Sequence, residues 1–120
     1  MKTAPMKNVI SQARNYYMNA NVNAENFTVI TAFDKHKETG VEEVAIVFVD
    51  KHANEINRQV TFAQGRLIKE MPISFQVPII DMLRHERPIL VRFHYHGGST
   101  PFFDSFEIFT MREQVGEEES

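Results

Sequence analysis

The sequence carries one histidine pair with metal-ligand spacing, His94 and His96, within the segment ILVRFHYH. If this segment is a strand, both imidazoles project from one face, because alternate side chains of a strand share a face. Two imidazoles can share a metal ion, but a usable site needs a third ligand on that face. The nearest candidates are Ser105 and Glu107, and the guanidinium of Arg92 would oppose a metal electrostatically. We therefore treat His94 and His96 as weak metal candidates and predict a polar strand face.

A second constellation is Asp81 with His85, four residues apart in a segment that the sequence predicts to be helical. This spacing places both side chains on one helix face, where the carboxylate can orient the imidazole as a general base. No serine or cysteine nucleophile accompanies the pair, and a histidine in the last helical turn is also stabilised by the helix dipole. We therefore predict no catalytic residue, and the sequence favours a protein that is not an enzyme.

Residues 84–96 combine cations with aromatic side chains, which is how many proteins hold single-stranded nucleic acid. The cationic and aromatic members are Arg84, His85, Arg87, Arg92, Phe93, His94, Tyr95 and His96. The segment 112–120 holds four Glu and one Arg, so residues 1–111 keep 12 of the 16 acidic and 12 of the 13 basic residues. The body of the chain therefore has no net attraction for phosphate, and oligonucleotide binding is kept as an alternative function.

Composition argues against several other classes of function. The chain has no Cys, which removes disulfides, thiolate metal sites and cysteine nucleophiles. Gly97 and Gly98 are an isolated pair and not a phosphate-binding loop, and we predict no cofactor. No apolar run approaches the roughly 20 residues of a membrane span, and the N-terminal residues lack the apolar core of a signal peptide. We expect a cytoplasmic protein without a membrane partner.

The segment ILVRFHYHGGSTPFFDSFEIFTM predicts a β-hairpin, with glycine and proline in the loop between two alternating strands. Its register follows from matching the two faces. With Phe93 opposite Phe106, apolar side chains meet on one face, and Arg92 meets Glu107 on the other. Cross-strand pairs contribute roughly 0.2–1 kcal/mol each, so several matched pairs should decide the register.

The other elements are predicted from periodicity. An N-terminal amphipathic helix over 4–19 is indicated by apolar residues at helical spacing, namely Met6, Val9, Ile10, Ala13 and Tyr17. Alternating or β-rich segments predict strands over 27–34, 41–50, 55–63 and 66–70. A short helix over 78–86 is bounded by Pro78 and Pro88.

These elements predict a single α+β domain over residues 1–111, with a mainly antiparallel sheet of five to six strands, an N-terminal helix and a second short helix. The element order is α-β-β-β-(β)-α-β-β. The acidic segment 112–120 predicts a disordered tail. This order resembles that of small acidic secretion chaperones, which bind partner polypeptides as dimers. The likeness covers element order alone and no shared motif.

The predicted strands over 27–34 and 41–50 are apolar on both faces, and a sheet with two apolar faces needs cover on both. If both helices pack on one face, Ile30, Val47 and Val49 remain open on the other. We then expect another copy of the chain or a partner protein to cover them, with a homodimer as the simplest closed form. The alternative is that the helices cover opposite faces of one monomer.

The predicted binding surface combines these three residues with Arg92, His94 and His96. The leading hypothesis is a non-enzymatic protein-binding module, such as a small bacterial or phage accessory, chaperone-like or inhibitor protein. The alternatives are an oligonucleotide-binding protein that uses residues 84–96, and a small His- or metal-dependent enzyme centred on His94 and His96.

Overall fold

The computed structural model describes residues 6–21, 26–50, 52–98 and 100–110, so the predicted tail over 112–120 lies outside the described residues. These ranges contain strands β1 (Met6–Asn21), β2 (Asn26–Phe33), β3 (Glu43–Val49), β4 (Thr61–Ala63), β5 (Arg66–Pro72), β6 (Ile89–His96) and β7 (Phe102–Thr110). One α-helix, α1 (Gln76–His85), lies between β5 and β6 along the chain. Short 3₁₀ turns are found at Ala53–Glu55 and Ile73–Phe75.

The seven strands form one sheet in the order β4-β5-β3-β2-β1-β6-β7. Neighbouring strands are antiparallel, except that β3 and β5 are parallel. The two end strands meet, because the ring centroids of Phe62 on β4 and Phe103 on β7 are 4.9 Å apart. The sheet is therefore curled towards a barrel, and its concave face encloses the core.

The core consists of the inward-facing side chains of the curled sheet. Its buried members include Val29, Phe48, Leu67, Val91, Phe93 and Tyr95. Helix α1 adds the fully buried Leu83, with Ile79 and Met82 packed against the same cluster. The predicted second helix therefore packs these three residues against the core of the sheet.

Strand β1 changes its partner in the middle. Its first half pairs with β6, placing Val9 opposite Phe93, and its second half pairs with β2. The register shifts between Ala13 and Asn15, which is the position of a β-bulge. Because a bulge adds one residue, the inward positions are odd-numbered before it and even-numbered after it. Met18, for example, lies opposite the buried Val29.

The predicted N-terminal helix over 4–19 is wrong, and so is the α+β class with two helices. Its apolar stripe contains residues from both faces of β1, since Val9 and Ala13 point inward while Met6 and Ile10 point outward. Because both faces of β1 carry apolar side chains, the two alternating sets together give the spacing of a helix, and all of the stripe except Tyr17 lies before the bulge. The protein is mainly β, and the likeness to secretion chaperones, which depended on a helix at this position, falls with it.

The predictions for the rest of the chain agree more closely with the structure. The strands predicted over 27–34, 41–50 and 66–70 correspond to β2, β3 and β5, and the helix over 78–86 corresponds to α1. The strand predicted over 55–63 is wrong for most of its length, because only Thr61–Ala63 is paired. The sheet has seven strands instead of the predicted five to six, since β1 was assigned to a helix.

The predicted hairpin register is confirmed. Phe93 lies opposite Phe106 and Arg92 lies opposite Glu107. A further register shift follows His94, so that Tyr95 lies opposite Phe103 and Asp104 is the extra residue. This second bulge brings Phe103 to the inner face, where it is buried and contacts Phe62.

The loop between β2 and β3 is attached to β6 through aromatic and polar contacts. The His36 ring meets Phe93 and Tyr95 edge-on, at centroid distances of 5.5 and 5.7 Å. The buried Tyr95 hydroxyl donates a hydrogen bond to Glu38, which also accepts one from Lys7 at 3.0 Å. Burial, followed by the hydrogen bond to Glu38, raises the pKa of Tyr95 to about 12.

We expect Phe106→Ala to lower the free energy of unfolding by about 3–5 kcal/mol, because it removes a buried ring and leaves a cavity. The matched control is Phe102→Ala on the same strand, where the ring is exposed and the loss should stay within about 0.5 kcal/mol. Urea unfolding followed by circular dichroism measures both variants. Similar midpoints for the two would contradict the assignment of faces on β7.

Candidate functional site

The convex side of β1, β6 and β7 forms a continuous surface, which we call the three-strand face. Residues directly opposite each other in antiparallel strands point to the same side of the sheet. The pairing arranges the face in four rows, namely Met6–His96–Phe102, Asn8–His94–Ser105, Ile10–Arg92–Glu107 and Gln12–Leu90–Phe109. The alternate residues of β6 are buried on the opposite side of the sheet.

Three large apolar side chains of this face are exposed to solvent. Met6 is 48% exposed, Ile10 is 56% exposed and Phe102 is 64% exposed. Met6 and Phe102 flank His96 in the first row, and the ring centroids of His96 and Phe102 are 6.1 Å apart. Clustered exposed apolar side chains on one face are typical of an interaction site.

The centre of the face carries a shared ion pair. Arg92 donates a hydrogen bond from Nη2 to Glu107 at 2.8 Å, and His94 Nε2 lies 3.2 Å from the other carboxylate oxygen. The Arg92 guanidinium also stacks over the Phe109 ring, 4.8 Å from its centroid. The buried Nε of Arg92 has no hydrogen-bond partner among the described residues. Arg92 is therefore held flat against the sheet and neutralised by Glu107.

This arrangement does not assemble a metal centre from the predicted histidines. His94 and His96 do share the three-strand face, as their spacing predicts. Glu107, however, is already bonded to Arg92, so its charge is balanced by a guanidinium. Across the described ranges, no group of three or more His, Asp or Glu side chains is placed to hold a metal ion.

The second predicted constellation, Asp81 with His85, is an exposed contact on α1. His85 Nδ1 lies 3.0 Å from the Asp81 carboxylate and 3.1 Å from the Asp81 carbonyl oxygen. Both side chains are largely exposed, so solvent screens the interaction between them. The geometry is that of a local helix contact near the carboxyl end of α1.

The basic and aromatic residues over 84–96 do not form one surface. Phe93 and Tyr95 are buried in the core, so they cannot stack on nucleic-acid bases. Arg87 donates hydrogen bonds to the carbonyl oxygens of Leu83 and Glu86, both at 2.6 Å. Since Glu107 also neutralises Arg92, the region lacks the exposed stacking rings that the oligonucleotide hypothesis requires, and one of its cations is paired.

The apolar surface predicted on the other strands is largely covered by the chain itself. Ile30 is 3% exposed and Val49 is 5% exposed, while Val47 is half-buried. Tyr17, directly opposite Ile30, donates a hydrogen bond to Glu43 at 2.9 Å. The argument that Ile30 and Val49 need a partner to cover them is therefore wrong.

Sequence reasoning missed the exposed residues that matter most on the three-strand face, Met6, Ile10 and Phe102. The helical spacing assigns Met6 and Ile10 to the buried stripe of a helix, and unbroken alternation from Phe106 puts Phe102 on the core face of the hairpin. The alternation of Met6, Asn8 and Ile10 is the signal that indicates a strand before the bulge. Phe102 changes face only because of the bulge at Asp104.

Comparison with protein-family models, with curated proteins and with solved structures finds no match for this chain. Among the described residues, no helix is both long and apolar enough to cross a membrane. The predicted cytoplasmic location stays a prediction.

The pKa of Glu107 is expected to lie below its ordinary value, because hydrogen bonds from Arg92 and then from His94 stabilise the charged carboxylate. A folded pKa below the unfolded one contributes stability above the unfolded pKa, and this contribution is lost as the pH falls through the folded pKa. Carboxyl titration by carbon-13 NMR measures the shift. Arg92→Met should raise the pKa of Glu107, whereas the control Lys37→Met should not. An unchanged titration in Arg92→Met would contradict the ion pair.

Proposed function

We propose that the chain is a non-enzymatic protein-binding module that associates with a second copy of itself through the three-strand face. The observation that carries this proposal is the exposure of Met6, Ile10 and Phe102 on one face of three neighbouring strands. Burying such side chains removes apolar surface from water, which is the main driving force of protein association.

The charge distribution of the face supports a second copy as the partner. Arg92 and Glu107 lie side by side at its centre, so the face carries both signs and no large net charge. In a two-fold contact each copy presents the same surface, and Arg92 of one copy can approach Glu107 of the other. A face with charges of one sign only would repel its own copy.

The polar groups around the apolar side chains favour protein binding over catalysis. The His94 and Arg92 side chains are both committed to Glu107, which leaves the carboxylate engaged on both oxygens. Polar groups arranged around exposed apolar and aromatic side chains are the usual composition of a protein interface. The surface also lies on paired strands, so it can meet a partner without rearranging.

Light scattering after size-exclusion chromatography should give twice the chain mass of 13.9 kDa at tens of micromolar. Ile10→Glu and Phe102→Glu place unpaired charges in the contact and should each weaken dimerisation by about tenfold or more. The matched control is Val77→Glu, which changes an apolar residue on α1 that is 74% exposed and should leave the dimer intact. Circular dichroism checks that each variant is folded.

A wild-type chain that stays at monomer mass under these conditions would contradict the proposal. So would a dimer that survives both Ile10→Glu and Phe102→Glu. Loss of the dimer in Val77→Glu alone would show that the interface involves helix α1 and would contradict an interface on the three-strand face.

A further inference from the structure

A cavity of about 250 Å³ opens between β5 and β7, on the inner side of the curled sheet. It is lined by Ile46, Met71, Ile79, Phe106 and Ile108, together with Lys69 and Glu107. The lining is thus apolar except for Lys69 and Glu107, and the carboxylate of Glu107 is bonded on the opposite side of the sheet. A cavity of about 150 Å³ is enough to hold a benzene molecule, so this one has room for a larger apolar group.

The cavity exists because the edges of the sheet have unequal lengths. Strand β4 has three residues and pairs only with residues 66–68 of β5. Over that length the curl is closed by Phe62 against Phe103. Further along, β5 and β7 face each other without β4 between them, and Ile79 of α1 lines the remaining space.

The position of Lys69 gives this cavity a charge preference. Lys69 lies opposite the buried Ile46 in the parallel register, so its side chain points to the inner side of the sheet. It is half-buried, and it has no hydrogen bond or ion pair with any described residue. A cation withdrawn from water without a counter-ion is destabilising unless a ligand supplies the anion.

Glu107 does not supply the counter-ion for Lys69. Its two carboxylate oxygens are held by Arg92 at 2.8 Å and by His94 at 3.2 Å, on the opposite side of the sheet. A second cavity of about 280 Å³, which Lys69 and Met71 also line, contains both Arg58 and Glu70, and Glu70 accepts a hydrogen bond from the backbone N–H of Asn57. The feature that favours an anion is therefore the ammonium of Lys69 itself, which lines the apolar cavity without a partner among the described residues.

We propose that this cavity binds a free monocarboxylate with an apolar chain, of the medium-chain fatty-acid type. The carboxylate pairs with the ammonium of Lys69, and the chain packs against Met71, Ile79 and Phe106. Each methylene that enters the cavity should strengthen binding by about fourfold until the space is filled. This site is independent of the three-strand face and does not rest on dimerisation.

The test is isothermal titration calorimetry of the full chain with decanoate, hexanoate and decanol. Decanoate should bind more tightly than either hexanoate or decanol. Lys69→Met should weaken decanoate binding by about tenfold or more while leaving decanol nearly unchanged, because only decanoate uses the charge. The matched control is Lys37→Met, which removes an exposed lysine of the β2–β3 loop and should not change either ligand.

Two further measurements distinguish the loss of an anion-binding group from a loss of folding. Without ligand, Lys69→Met should melt at a higher temperature than the wild type, since it removes an unpaired ammonium from an apolar site. Ile79→Trp fills the cavity and should weaken decanoate and decanol alike. Phe102→Glu, on the three-strand face, should bind decanoate as the wild type does, whatever its oligomeric state.

No binding of decanoate by the wild type would overturn the proposal. Equal decanoate affinity in Lys69→Met and the wild type would also overturn it, since the apolar space would then bind chains without recognising the carboxylate. The same conclusion would follow if Lys37→Met weakened decanoate binding as strongly as Lys69→Met.

Discussion

The partner change in β1 is the constraint on which the rest of the structure depends. One strand of 16 residues pairs with β6 along its first half and with β2 along its second half. The bulge between Ala13 and Asn15 keeps an apolar or small side chain facing inward on both sides of the change. A bulge also increases the local twist and bends the strand, which favours the curl of the whole sheet. Without β1, the β6–β7 hairpin would have no hydrogen-bonded connection to the other four strands.

The curl brings together two edge strands of different length, β4 and β7. This difference in length determines where the sheet is closed and where a cavity remains. The nine-residue β7 meets the three-residue β4 only near Phe103, so the closure is complete at one end and open at the other. The closed end contains the aromatic cluster around Phe93 and Tyr95, to which the β2–β3 loop adds His36. The open end contains the apolar cavity with Lys69.

The carboxylate of Glu107 points to the convex side of the sheet, and this direction affects the charge balance on both sides. On the convex side it balances Arg92 and engages His94, which leaves a nearly neutral face suited to another protein surface. Because its charge is used there, Lys69 on the concave side has no carboxylate partner among the described residues. The charges on the convex side of β7 are thus paired, whereas the ammonium of Lys69 on the concave side has no partner among the described residues.

Local sequence determined the elements whose pairing partners are close along the chain. The register of β6 and β7 was predictable because matched pairs such as Phe93–Phe106 and Arg92–Glu107 lie within one hairpin. The end of α1 was predictable to within one residue because Pro88 restricts the backbone before it, whereas the helix begins at Gln76, two residues before the start that Pro78 indicated. The same holds for β2 and β3, whose β-branched and aromatic residues have a strong preference for strands.

Only the tertiary structure decided the placement of β1, the closure of the sheet and the identity of the exposed apolar residues. Both faces of β1 carry apolar side chains, so its periodicity read alone indicates a helix. The parallel pairing of β3 with β5 joins segments separated by a crossover that the periodicity does not specify. The burial of Ile30 beneath Tyr17 and the exposure of Phe102 depend on which strands become neighbours, and that is set by contacts between residues far apart in the sequence.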